Sequence, residues 1–91
     1  MSFSRRPNPV FSESYAAIRE VVIGARRAAN LSQAQLAGRL GKSKSHIARI
    51  ECGERRLDTL ELYHMARAFG IAPPVLFAAV AERLEGATRE P

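Results

Sequence analysis

A single cysteine, Cys52, is the whole thiol content of the 91-residue chain. It can close no internal disulfide and build no thiolate metal site, so nothing points to an oxidising compartment. Long apolar runs are missing as well. The longest, Ile71 to Ala81, is eleven residues and holds Pro73 and Pro74, too short and too broken to cross a bilayer. Arg5 and Arg6 look superficially like a twin-arginine export signal, but Pro7, Asn8, Pro9, Ser12 and Glu13 stand where its hydrophobic stretch would begin. A cytoplasmic protein without a membrane partner is therefore expected. Also lacking are a nucleophile, base and orienter set, a cluster of metal ligands and a glycine-rich phosphate loop. No enzyme, cofactor or metal is expected. Alternating strand patterns, internal repeats and low-complexity tracts do not occur either.

What is present is enough for one compact domain of 10.0 kDa, 46% apolar and 25% charged, close to the averages of globular chains. The net charge of +5 is unevenly spread. Between residues 26 and 56, Arg26, Arg27, Arg39, Lys42, Lys44, Arg49, Arg55 and Arg56 face only Glu51 and Glu54, a net of +6. Residues 57–91 carry −2. A segregated positive field suits a polyanion, since each neutralised phosphate releases condensed counterions. Charge alone leaves a solvated basic surface equally open.

The period along the chain is helical. Residues 1–12 carry two prolines and two arginines without a period and are expected to form an extended arm. Ser12 or Ser14 can cap a first helix, about residues 13–29, whose apolar positions Tyr15, Ile18, Val22, Ala25 and Ala29 follow three- and four-residue steps. Ser32 caps a second, about 33–40, with Leu36, Ala37 and Leu40 on one face and Gly41 behind it. Ser43 caps a third, about 44–52, in which Ile47 and Ile50 are the only large apolar residues and Gly53 is placed to end it. Asp58 or Thr59 opens a fourth, with Leu62, Met65, Ala66 and Phe69 on one stripe before Gly70. Pro73 and Pro74 can begin a fifth, about 74–85, ahead of a polar tail at 86–91. The expected class is all-α with five helices, the domain spanning residues 13–85.

Helices two and three, joined by a short turn with Gly41, form a helix-turn-helix arrangement. At about 100° per residue with Lys44 at zero, Ala48, Cys52, Ser45 and Arg49 fall at about 40°, 80°, 100° and 140°. Ile47 and Ile50 fall opposite, at about 300° and 240°, while His46 flanks at about 200° and Glu51 at about 340°. A helix this short is unstable alone, so something other than propensity selects its polar outer face. Such a face suits a major groove about 12 Å wide.

The stretch LSQAQLAGRLGKSKSHIARIECGERRLDTLELYHMARAFGI, residues 31–71, resembles the Cro/CI-type helix-turn-helix of phage repressors and the xenobiotic-response-element (XRE) family of bacterial regulators. Leu31-Ser32-Gln33, Leu36-Ala37, Leu40-Gly41, Ser43, Ile47, Ile50-Glu51 and Gly53 carry the likeness. It implies a lambda-repressor-like domain and a transcription regulator bound to double-stranded DNA in the nucleoid. Ser43, Lys44, Ser45 and Arg49 match the positions from which the family reads bases, and Lys or Arg there can donate to guanine O6 and N7. Gln33 matches a residue that bonds a phosphate and braces the start of helix three, and His46, Arg55 and Arg56 match residues near the sugar-phosphate backbone. The family pairs the arginine at position 26 with the glutamate at 51. Cys52 stands where asparagine is usual and Glu54 where a base is commoner. Cys52 is read as a small residue tolerated at a helix end and His64 as a surface residue. Arg39 and Lys42 border the motif and suit the DNA backbone or solvent alike. Arg5 and Arg6 are open to a minor groove or to a mobile terminus.

Val75, Leu76, Phe77, Val80 and Leu84 give helix five more large apolar groups than one core-facing stripe needs. A homodimer on an inverted repeat is expected, its two reading helices about 34 Å apart. The competing reading is an antitoxin-like interaction module that also binds DNA and masks an unknown protein partner with that surplus surface. RNA is disfavoured, because helix three offers no aromatic platform for stacking.

Overall fold

The computed structural model describes residues 13–88. The expected arm at 1–12, with Arg5 and Arg6, and residues 89–91 of the tail lie outside the described residues. Five helices follow in order: α1 Glu13–Ala28, α2 Gln33–Leu40, α3 Lys44–Cys52, α4 Thr59–Phe69 and α5 Pro73–Thr88. No strand occurs among the described residues.

Short polar side chains begin three of these helices. The Ser32 hydroxyl accepts from the Gln35 backbone N–H at 3.0 Å, and the Gln35 side chain accepts from the Ser32 N–H at 2.8 Å. Asp58 and Glu61 exchange the same pair of bonds at 2.7 and 3.0 Å. Each box satisfies two backbone donors that the helix itself leaves unpaired. Ser43 caps α3 by accepting from the His46 N–H at 3.1 Å. Three helices end on a glycine in the left-handed region, Gly41, Gly53 and Gly70. At Gly53, φ is +91°, a conformation that selects glycine, and the guanidinium of Arg19 lies against its open side, where an added Cβ would stand 3.1 Å from Cζ.

α1 packs against α3, α4 and α5, and α2 packs against α3 and α4. Val22 from α1, Leu36 and Ala37 from α2, Ile47 and Ile50 from α3, and Met65, Ala66 and Phe69 from α4 fill one shared core with Leu76 from α5. α3 contributes only its two isoleucines and is held down by them. At roughly 1.5–3 kcal/mol for each fully buried aliphatic side chain, this anchorage outweighs the weak intrinsic stability of nine residues.

Two features of α5 differ from expectation. Leu76 and Val80 are each 2% exposed and belong to the protein's own core, so they cannot line a subunit interface. The cause is the docking of α5 along α1, which closes over that stripe. The helix also runs to Thr88 and passes through Gly86, which stays outside the left-handed conformation that would stop it. Gly86 lines a groove with Glu13, Ala16 and Ala17 of α1, beside an exposed ion pair of Arg83 with Glu20, and tertiary docking of a helix overrides the roughly 1 kcal/mol that an interior glycine costs it.

Candidate nucleic-acid interface

The outer face of α3 is set by the two side chains beneath it. Ile47 and Ile50 are buried, at 0% and 1% exposure, which turns Lys44, Ser45, Arg49 and Cys52 outward; all four are exposed and Ala48 between them is half-buried. Ser43 sits exposed at the head of the helix with its hydroxyl oxygen engaged as the cap. Capping leaves the Ser43 hydroxyl hydrogen as a donor. Cys52 turns its thiol back to donate to the Arg49 carbonyl at 3.6 Å. A shallow groove runs between α1 and this face, lined by Ile23, Ser45, Ala48, Arg49, Cys52 and Glu54, with Gln33 and Glu51 at its inner side. Of the two acids there, Glu51 is neutralised by Arg26, and Glu54 stands exposed at one edge.

The inner edge of α3 is fixed by a buried ion pair. Arg26 Nε and Nη2 donate to the two carboxylate oxygens of Glu51 at 2.8 and 3.0 Å, and Nη1 donates to the Leu31 carbonyl at 2.8 Å. The side chains are only 10% and 6% exposed. Bidentate geometry of this type fixes orientation as well as distance. Gln33 joins the pair, its amide Nε2 donating to Glu51 at 2.8 Å. That contact corrects one expectation: Gln33 braces the far end of α3 through Glu51 rather than its start. One side-chain carboxylate thus links α1, α2 and α3.

His46 departs from its expected place. Its Nε2 lies 2.7 Å from Glu61 Oε2 on α4, and its side chain is 15% exposed. On the flank of α3, between the exposed face and the isoleucines, it meets the first turn of α4 before it can meet a phosphate. Arg55 Nη2 is 3.9 Å from the same oxygen, with nearly half of its side chain exposed, and Arg56 is exposed beside it. Arg39 donates to the Ala68 carbonyl at 2.9 Å and so joins α2 to the last turn of α4. Of the residues singled out in the sequence, Lys44, Ser45, Arg49, Arg55 and Arg56 share exposure on or next to α3. Val75 and Phe77 are exposed on α5, whereas Leu84 is half-buried.

Several contributors escaped the sequence reading. Glu61 is 7% exposed and serves at once as the N3 member of the α4 capping box and as the partner of His46. The spacing Asp58-x-x-Glu61 was a legible signal for the first role. Tyr15, counted among the apolar positions of α1, donates its hydroxyl proton to the Leu57 carbonyl at 3.0 Å. Arg19 packs its guanidinium against Gly53. No local pattern announces contacts between residues this far apart in the chain.

The helix-turn-helix family model matches residues 24–76, which spans α2, α3 and α4 with the end of α1 and the start of α5. Among solved structures, an XRE-family like protein from Pseudomonas syringae pv. tomato str. DC3000 is similar at 35% sequence identity and a TM-score of 0.70, covering 76% of this chain and 84% of that one. No curated protein matches.

Proposed function

The chain belongs to the XRE-type helix-turn-helix family of DNA-binding regulators, and on that premise we propose that it reads a specific duplex sequence by laying the outer face of α3 in the major groove. Lys44 and Arg49 donate to guanine edges, with Ser45 and the Ser43 hydroxyl beside them. Arg55 and Arg56 meet phosphates on one flank of the reading helix. Gln33 meets one on the other: its amide group has two hydrogens, and Glu51 takes only one. Backbone N–H groups at the start of α2 add to that contact, where the helix dipole favours an anion. His46 is left out of this set because Glu61 holds its Nε2.

The observation that carries the reading is the division of α3 itself. Lys44, Ser45 and Arg49 stand exposed on a helix whose only large apolar side chains, Ile47 and Ile50, are spent on the core. A surface with no packing task and no acid on its outer face suits base edges lined with acceptors. Two copies of the chain, related by a two-fold axis, would set two such helices about 34 Å apart on an inverted repeat. The exposed Phe77 on α5 supports that pairing. Val75, two residues away and so about 200° around the helix, cannot share one flat interface with it.

Selection of duplexes from a randomised library, followed by titration, tests the assignment. Lys44→Ala or Arg49→Ala is expected to cost the selected sequence about 1–3 kcal/mol and to relax preference at one base pair, leaving unrelated duplex less affected. Arg55→Ala is expected to weaken all duplexes alike and to shallow the salt dependence by about one unit. Unchanged selection by both Lys44→Ala and Arg49→Ala would remove α3 from the reading role.

A further inference from the structure

The loop between α3 and α4, residues 53–58, carries Arg55 and Arg56 and is held from outside at several points. Its entry is fixed by backbone bonds from Glu54 and Arg55 to the Arg49 carbonyl at 2.9 and 3.1 Å, with Arg19 of α1 packed beneath Gly53. Its exit is fixed by the capping box of Asp58 and Glu61. Between these, Tyr15 of α1 holds the loop backbone at Leu57: its hydroxyl donates to the Leu57 carbonyl and accepts from the Leu57 N–H. A phenol can do both at once because its oxygen is donor and acceptor. The N–H it accepts from belongs to the peptide that joins Arg56 to Leu57.

We propose that Tyr15 is a positioning residue for the phosphate contact of Arg56: by bonding the peptides on either side of Leu57, the first of which joins it to Arg56, the hydroxyl fixes the direction in which the Arg56 side chain leaves the loop. This rests on the reading that Arg56 meets the DNA backbone. Without the hydroxyl the loop remains tied at both ends and Leu57 keeps its packing against the core, but the peptides on either side of Leu57 lose their partner and the backbone at Arg56 gains freedom to turn. The ordering of those residues is then charged to the binding step, as for any contact that is not pre-arranged. The benzene ring of Tyr15 is half-buried and can keep its packing when the oxygen is removed.

A double-mutant cycle tests the proposal, using the full chain, a selected duplex and an unrelated duplex over a range of salt concentrations. Tyr15→Phe is expected to weaken both duplexes by a similar factor, about five- to thirtyfold, and to leave base preference unchanged. Arg56→Ala is expected to weaken both as well. The combined variant should bind about as well as Arg56→Ala alone, because nothing is left for the hydroxyl to aim. Thermal unfolding confirms that Tyr15→Phe folds, and faster amide exchange at Leu57 confirms that the pin is gone. A loss in the combined variant equal to the product of the two single losses, or wild-type affinity in Tyr15→Phe with Leu57 exchange accelerated, overturns the positioning role alone. Wild-type affinity in Arg56→Ala overturns both that role and the phosphate contact on which it rests.

Discussion

Glu51 receives three hydrogen bonds, two from Arg26 and one from Gln33, within a side chain that is almost wholly enclosed. A charge so placed is held by its partners, and losing one is costly because the other is stranded away from water. Arg26→Ala is expected to lower unfolding free energy by about 3–5 kcal/mol, measured by urea denaturation. Arg26→Met with Glu51→Leu should recover much of that loss, since an apolar pair of similar volume needs no compensating charge. Single and double variants of equal stability would show that the pair carries no such strain when broken. At this scale the sequence was legible where a residue type is tied to one helix face. Lys44, Ser45 and Arg49 could be set opposite Ile47 and Ile50 by angle alone, and their exposure agrees with that. His46 could not be placed the same way. Its angle falls on the boundary of the face, and its partner Glu61 is fifteen residues on, in another helix. Gln33 was aimed at the wrong end of α3 for the same reason: the amide reaches across space to Glu51, eighteen residues later.

Among the elements, α3 depends most on its ends. It is nine residues long, has one capping serine and one terminating glycine, and gains core contact from two side chains. Ser43→Ala is expected to cost about 1 kcal/mol by removing the capping oxygen and leaving the His46 N–H only its 3.1 Å bond to the Ser43 carbonyl. Gly53→Ala is expected to cost about 1–2 kcal/mol for the left-handed backbone, the guanidinium of Arg19 needing to shift only a few tenths of an ångström to admit the new methyl. Both are read from denaturation midpoints, and a Gly53→Ala chain as stable as wild type would mean that the loop after α3 can rebuild in another conformation. The starts of α2, α3 and α4 and their glycine ends were legible because capping chemistry is local and uses few residue types. The end of α5 was not. The polar residues from 86 onward read as a tail in sequence, whereas Gly86 lines a groove with Glu13, Ala16 and Ala17 beside the ion pair of Arg83 with Glu20, so α1 supports the turns around it. Likewise Leu76 and Val80 read as surplus apolar surface until α1 was seen to cover them.

For the whole molecule, the five-helix class followed from period and caps, while the assignment of its surfaces needed the packing. With Leu76 and Val80 in the core, Phe77 is the exposed large apolar group of α5 on the side of Leu84. Phe77→Asp is therefore expected to shift a dimer toward a 10.0 kDa monomer in sedimentation velocity and to weaken binding to an inverted repeat more than to a single half-site. An unchanged sedimentation profile would place the contact elsewhere. The claim beneath all of this is that α3 is the element that touches bases. Titration of the labelled protein with its selected duplex, followed by backbone amide NMR, tests that most directly. The largest shifts are expected across residues 43–49, with a second set at 54–57, and those of 43–49 should shrink when the selected duplex is replaced by an unrelated one. Shifts concentrated on the outer faces of α4 and α5, with residues 43–49 unmoved, would contradict it.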